Sequence, residues 1–205
     1  MIPPVFFRRK RESVQPEWVI VGLGNPGGQY EGTRHNVGFE VIRRLSARHN
    51  LHLSERKYQA NFGVGTMRDR TVALVRPLTY MNRSGIAVAA LLDWWKLPPE
   101  RMVVVFDDMD LEVGRVLIKP FGGPGTHNGM KDIIARLRTE QFPRVRIGIG
   151  KPPMAGADYV LSPFRDEEIP LIQEALDLAT DGCEWIVTEG VDKAMNRVNS
   201  VRKGE

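Results

Sequence analysis

The stretch VIVGLGNPGGQYEGTRHN, residues 19–36, decides how the chain is read. It spells G-x-G-x-x-G at Gly22, Gly24 and Gly27 directly after an apolar run. In a dinucleotide fold the helix begins inside that motif, so that its first N–H groups face a pyrophosphate. Here Pro26 is followed by Gly27 and Gly28, and Gly32 comes four residues later. Two glycines behind a proline do not favour a continuing helix. No apolar residue at helical spacing appears before Val37. The helix is therefore predicted to start near Thr33 to Asn36, with residues 24–32 as an extended turn. The acidic residue of such a fingerprint belongs about 20 residues past the motif, and Glu55, the candidate for it, sits late. The spelling alone is a weak signal, and the dinucleotide reading is set aside.

The remaining elements follow from periodicity. Residues 18–23 read as a buried strand and 36–49 as a helix with Val37, Val41, Ile42 and Leu45 on one face. YQANFGVGTM and TVALVRP flank RDR as a hairpin. SGIAVAALLDWWKL reads as an apolar helix stopped by Pro98 and Pro99. MVVVFDD, RVLIKP and RVRIGIG read as strands, and HNGMKDIIARLR as a helix with Ile133, Ile134 and Leu137 inward. Residues 166–188 form an amphipathic helix with Ile169, Ile172, Leu176, Ala179, Cys183 and Ile186 on its apolar face. Gly190 ends that helix, and a short helix reaches about Val201. Strands alternating with helices predict a single α/β domain over 18–205: a mixed, mostly parallel sheet flanked by helices on both faces. Residues 1–17 read as a basic N-terminal extension.

The 205 residues suit one domain with a full core. The net charge of +4 mildly favours a polyanionic partner. A single cysteine, Cys183, excludes an internal disulfide and a multi-cysteine zinc site. No apolar run approaches the roughly 18 residues of a membrane span. MIPPVFFRRKRE places its charges after its apolar stretch, the reverse of a secretory signal.

In open α/β sheets, sites gather at the carboxyl ends of strands. Four polar segments emerge there: GNPGGQYEGTRHN, PLTYMNRSG, DDMDLEVG and FGGPGTHNGMKD. They supply His35, Asp107, Asn25, Asn82 and Asn128. No G-x-S-x-G elbow and no G-x-x-x-x-G-K-[ST] loop occurs. Counted from Asp108, an EF-hand would need Gly at Val113 and Glu at Lys119. Asp108, Asp110 and Glu112 read as a solvated acidic turn, with a partial magnesium site as the other reading. His35 stands at a helix N-terminus, whose dipole disfavours imidazolium. It reads either as a neutral general base paired with Asp107 or as a helix cap. His127 reads as loop structure, and His49 and His52 as surface residues. Lys119 and Arg146 are candidates for phosphate contact, whereas Lys131 and Arg144 stay open between contact and plain surface.

Together, GLGNPG…Y…TRHNVG, P-TYMN-SG, DDMDL--G, GG-G-HNG-KDI, RVRIGIG-P and DKAMNRVN resemble the bacterial-type peptidyl-tRNA hydrolases, over about residues 18–199. The resemblance implies an esterase that cleaves a peptide, or an N-blocked aminoacyl group, from the 3′ ribose of tRNA. It implies His35 as the base that activates water, Asp107 as its orienting partner and Asn25 as the group that tells blocked from free aminoacyl chains. Asn82 and Asn128 would bind substrate near the ester, and Tyr30 and Tyr80 would line the site of the tRNA 3′ end. It implies no cofactor and no metal, peptidyl-tRNA (its acceptor stem and CCA end) as partner, and a cytoplasmic monomer without membrane or obligate protein partner. The extension leaves organellar targeting open. The alternative is a non-catalytic RNA-binding relative of the same fold. Pro124 and Thr126 depart from the small residues usual in the family's glycine-rich loop, and after Lys151 the following loop lacks a basic residue.

Overall fold

A computed structural model describes residues 14–152 and 156–201. The basic run at residues 8–11 lies outside them. Among these residues seven strands form one sheet: β1 (Trp18–Gly22), β2 (Glu55–Lys57), β3 (Ala60–Met67), β4 (Arg70–Pro77), β5 (Met102–Asp108), β6 (Val116–Lys119) and β7 (Arg144–Gly148). Their spatial order is β2-β3-β4-β1-β5-β7-β6. The central strands β4, β1, β5 and β7 run parallel, and antiparallel pairs close both margins. Every residue of β1 and β5 is buried, as continuous apolar strands covered on both faces must be.

Alternate residues of these strands feed two cores. Ile20, Leu74, Val103, Val105, Val145 and Ile147 pack under α1 (Val37–Arg48), α5 (Ile169–Glu189) and α6 (Val191–Ser200). Val19, Val21, Val75, Val104 and Phe106 pack under α2 (Ser84–Trp95) and α3 (Asn128–Leu137). A short helix, α4 (Gly156–Val160), lies between β7 and α5 in the chain. The sequence pattern missed α4 and β2. The latter is three exposed charged residues on the sheet edge, a composition that blunts an edge and carries no hydrophobic period. Helix α2 ends earlier than its prolines require, at Lys96 in the left-handed conformation (φ 52°). Ile169 is exposed, because the inward stripe of α5 is covered only from Ile172 onward. In α3, Ile133 is buried, whereas Ile134 and Leu137 are partly so.

The glycines of the opening stretch serve packing. A Cβ on Gly22 would lie 2.1 Å from the carbonyl oxygen of Gly38, and a Cβ on Gly38 would lie 2.5 Å from the backbone of Leu23 and Val105. The first turn of α1 thus rests directly on the ends of β1 and β5. Only Gly27 (φ 117°) and Gly32 (φ 73°) in the turn need glycine for backbone conformation.

The 3-10 turn Arg34–Asn36 that leads into α1 is pinned by a buried cation. The Arg34 guanidinium donates to Glu168 (2.5 and 3.3 Å) and to the Ile149 carbonyl (3.2 Å). It lies between the rings of Tyr159 and Phe164 at 4.4 and 4.6 Å. Burial pushes the Glu168 carboxyl up, but hydrogen bonds from Arg34 and from the Arg165 backbone and side chain outweigh it and hold the group at about 2. A lowered carboxyl pKa adds stability above its ordinary value of 4.5 that is lost as the pH falls toward about 2. Arg34→Met should cost about 3–5 kcal/mol at neutral pH, since it strands a buried carboxylate. Urea unfolding of Glu168→Gln beside wild type should show a gap at pH 7 that closes as the pH falls below 4.5. A gap independent of pH would contradict the pairing.

Candidate active site

Asp107, next to last in β5, is 2% exposed and receives two imidazoles. His35 Nδ1 lies 2.8 and 2.9 Å from its two carboxylate oxygens. His127 Nε2 lies 3.1 Å from Oδ1. His127 also caps α3, its Nδ1 accepting the Met130 N–H at 3.2 Å. An Nδ1 that accepts leaves the proton on Nε2, so His127 donates to Asp107. His35 donates from Nδ1 to the same carboxylate, which leaves its Nε2 lone pair without a partner among the described residues. Burial pushes the Asp107 carboxyl up, but the charges and hydrogen bonds of His127 and His35 prevail and hold it below the usual carboxylate range. The carboxylate is thereby kept ionised beside a histidine that can take a proton.

Asn25, 7% exposed, is fixed from two sides. Its Oδ1 accepts the Met81 N–H at 2.8 Å. Its backbone N–H donates to Asn36 Oδ1 at 2.8 Å, and Asn36 Nδ2 donates to its carbonyl at 3.1 Å. The Asn25 Nδ2 remains as a donor without a partner among the described residues. The Met81 sulfur lies where a Cβ on Gly129 would come within 2.8 Å. The segments that carry Asn25, Asn82 and Asn128 therefore meet, with the Asn82 and Asn128 side chains exposed. Tyr30 and Tyr80 stand edge to face at 6.5 Å, and Tyr80 is 57% exposed.

A cleft of about 490 Å³ opens beside the dyad. His35, Asp107, Asn128, Lys119, Arg146 and the glycine-rich loop line it, while Asn25, Tyr30, Tyr80 and Asn82 lie outside its walls. The acidic turn differs from its sequence reading. Asp110 and Glu112 are exposed, but Asp108 is buried. It pairs with Arg146 Nε and accepts the Asp110 N–H at 2.9 Å. The three carboxylates do not converge as an open cation site, and Arg146 meets the cleft already paired. Lys119 is exposed. Among the described residues, His35, Asp107 and His127 form a group whose ligand atoms lie within 4.8 Å of one another. Those same atoms hold the two hydrogen bonds to Asp107, which a metal would have to break.

Sequence reasoning passed over His127 and Asn36. His127 looked like loop structure because its partner lies 20 residues away. Asn36 follows His35 directly, and its reach back to Asn25 has no local signature. His49, read as a surface residue, is mostly covered and lies 3.2 Å from Glu184. His52 is exposed as expected.

A family model described as peptidyl-tRNA hydrolase matches residues 19–205. A peptidyl-tRNA hydrolase of Chloroflexus aggregans is 48% identical over 89% of this chain and 98% of that protein. One of Alkaliphilus metalliredigens is 46% identical over 89% of this chain and 99% of its own length. The crystal structure of a peptidyl-tRNA hydrolase in complex with n-propanol is similar with a TM-score of 0.87 at 34% identity, covering 91% of this chain and 96% of that one. The Acinetobacter baumannii peptidyl-tRNA hydrolase structure gives 0.85 at 35% identity, covering 89% and 94%.

His127→Ala removes one of the two donors that keep Asp107 ionised. The acidic limb of the rate profile should move to higher pH, and loss of the helix cap should cost about 1 kcal/mol. An acidic limb in the wild-type position would show that His127 does not support the carboxylate.

Proposed function

The chain belongs to the peptidyl-tRNA hydrolase family, and from that premise we propose how its residues cleave the ester between a peptide and the 3′ ribose of tRNA. The single observation that carries the reading is the buried Asp107 that holds His35 by Nδ1 and leaves Nε2 free. His35 Nε2 takes a proton from water as the water oxygen attacks the ester carbonyl. Asp107 stabilises the imidazolium that results. Donors from Asn128 and Asn82, neutral amides that do not compete for the proton, meet the developing oxyanion. The tetrahedral adduct then breaks its bond to the ribose oxygen, which receives the proton from His35. A peptide carboxylate and free tRNA leave.

The Asn25 amide supports a reason for sparing free aminoacyl-tRNA. Its Oδ1 is occupied by Met81, so it presents N–H groups only. A blocked α-nitrogen brings a carbonyl that accepts such a hydrogen bond. A free α-ammonium is itself a donor and finds none to accept it. Tyr30 and Tyr80 would stack on the terminal base, and Lys119 would meet a phosphate of the acceptor end. Arg146 would join it by sharing its charge between Asp108 and the substrate. The family match from residue 19 supports the reading of 18–205 as the catalytic unit and of residues 1–17 as an extension to it. We read the enzyme as a monomer, active without cofactor. Among the described residues no helix is long and apolar enough to cross a membrane.

Purified protein should release N-acetyl-aminoacyl groups from tRNA and spare free aminoacyl-tRNA. His35→Ala should lower turnover by about 10²–10⁴-fold while tRNA binding persists. Turnover at the wild-type rate in that variant would remove the mechanism. Binding of tRNA with no hydrolysis by wild type would favour a non-catalytic RNA-binding relative. EDTA should leave the rate unchanged.

A further inference from the structure

Three cations stand on one face of two neighbouring strands. Val145 and Ile147 of β7 belong to the core under α5, so Arg144 and Arg146 project to the opposite face. Lys119 of β6 lies directly across from Arg144. Like charges so paired repel, yet among the described residues only Arg146 of the three has a carboxylate within ion-pair distance. Arg144 is 1% exposed and is held by main-chain oxygens instead.

Those oxygens lie at both ends of α3. Arg144 Nη1 donates to the Gly123 carbonyl at 3.2 Å, in the glycine-rich loop before the helix. Nη2 donates to the Glu140 carbonyl at 2.9 Å and approaches the Phe142 carbonyl at 3.5 Å, both past the helix. The guanidinium also covers the Phe142 ring at 4.6 Å. The Gly122 N–H reaches the same Glu140 carbonyl at 3.4 Å. Burial, with the nearby Arg146 charge, pushes the Arg144 guanidinium down to about 10 against the pull of Glu140, so it remains a cation at neutral pH. Its Nε is buried with no hydrogen-bond partner among the described residues. The guanidinium is thus bonded to main-chain oxygens of three separate residues, with the Glu140 charge nearby but no direct ion pair among the described residues, and such a burial is costly unless those bonds hold.

We infer that Arg144 is a positioning residue for peptidyl-tRNA hydrolysis: it staples the glycine-rich loop to the far end of α3 and so sets where His127 and Asn128 stand against Asp107. The loop needs such a tie. Gly122 (φ 148°) and Gly125 (φ 57°) have open space around them, so little side-chain packing restrains it. Its next residues are the donor to Asp107 and an asparagine of the cleft wall. The guanidinium fork is suited to the task because it spans two carbonyls at once. This inference rests on the hydrolase reading for its kinetic consequence, and on geometry alone for its effect on the loop.

The test pairs kinetics with hydrogen exchange on the full chain, using Arg144→Gln and Arg144→Lys. Gln reaches one carbonyl at most, and a displaced loop of this kind costs about 10²-fold in kcat. KM for N-acetyl-aminoacyl-tRNA should change by less than about twofold, because Arg144, although it borders the cleft, is buried with its Nη groups taken up by main-chain carbonyls. The amides of Gly122, Gly123 and residues 125–127 should exchange faster while those of β1 and β5 keep their protection. Lys keeps the charge without the fork and should give an intermediate kcat, which also carries the test if the Gln variant does not fold. An unchanged kcat, a loss confined to KM, or unchanged exchange at those loop amides would overturn the inference. A wild type without turnover would overturn the hydrolase reading, and the exchange arm would still decide on Arg144.

Discussion

One buried carboxylate constrains the whole site. Asp107 sits at the end of a central strand, away from water, and a charge so placed persists only if donors surround it. Two imidazole N–H groups meet that demand, one from each side of the sheet's carboxyl end. His35 arrives because α1 presses its glycine, Gly38, onto the ends of β1 and β5. His127 arrives because it caps α3 with its other nitrogen. The close glycine packing, the helix cap and the loop staple all converge on the solvation of one charge. In return, the charge fixes the tautomer of the base.

A second buried charge secures the first from behind. Arg34 adjoins His35 in sequence and points the other way, into Glu168, Ile149 and two aromatic rings. Successive residues of one tight turn thus face an ion pair and an active site. Slippage of the turn would break both. This also accounts for the polar character of the stretch that opens the domain. Arg34, His35 and Asn36 are all buried, and each has a named partner.

The strands and helices were legible because their apolar periods are strong, and the class of sheet followed from their alternation. The elements missed were those without a period: β2, made of charged edge residues, and the single turn of α4. Pro26 and its neighbouring glycines marked the long turn that delays α1, although not the short 3-10 helix Gly28–Tyr30 inside it, and the purpose of Gly22 was hidden. It admits a helix backbone that only the fold brings near. His35 and Asp107 stood out because one lies in the polar segment that emerges after β1 and the other at the carboxyl end of β5, the sheet's functional end. His127, Asn36 and Arg34 did not, since their partners are 20, 11 and 134 residues distant. Asp108 misled for the opposite reason. Its acidic neighbours suggested solvent, whereas the adjoining strand supplied Arg146.

Catalysis by this site depends on which nitrogen of each of two histidines carries the proton, and nitrogen-15 NMR of the imidazoles reads that directly. With Asp107 ionised, neutral His35 should carry its proton on Nδ1 and be bare on Nε2, and neutral His127 should carry its proton on Nε2. A neutral His35 carrying its proton on Nε2 would contradict the mechanism, because Asp107 would then face a lone pair and no base would face the substrate.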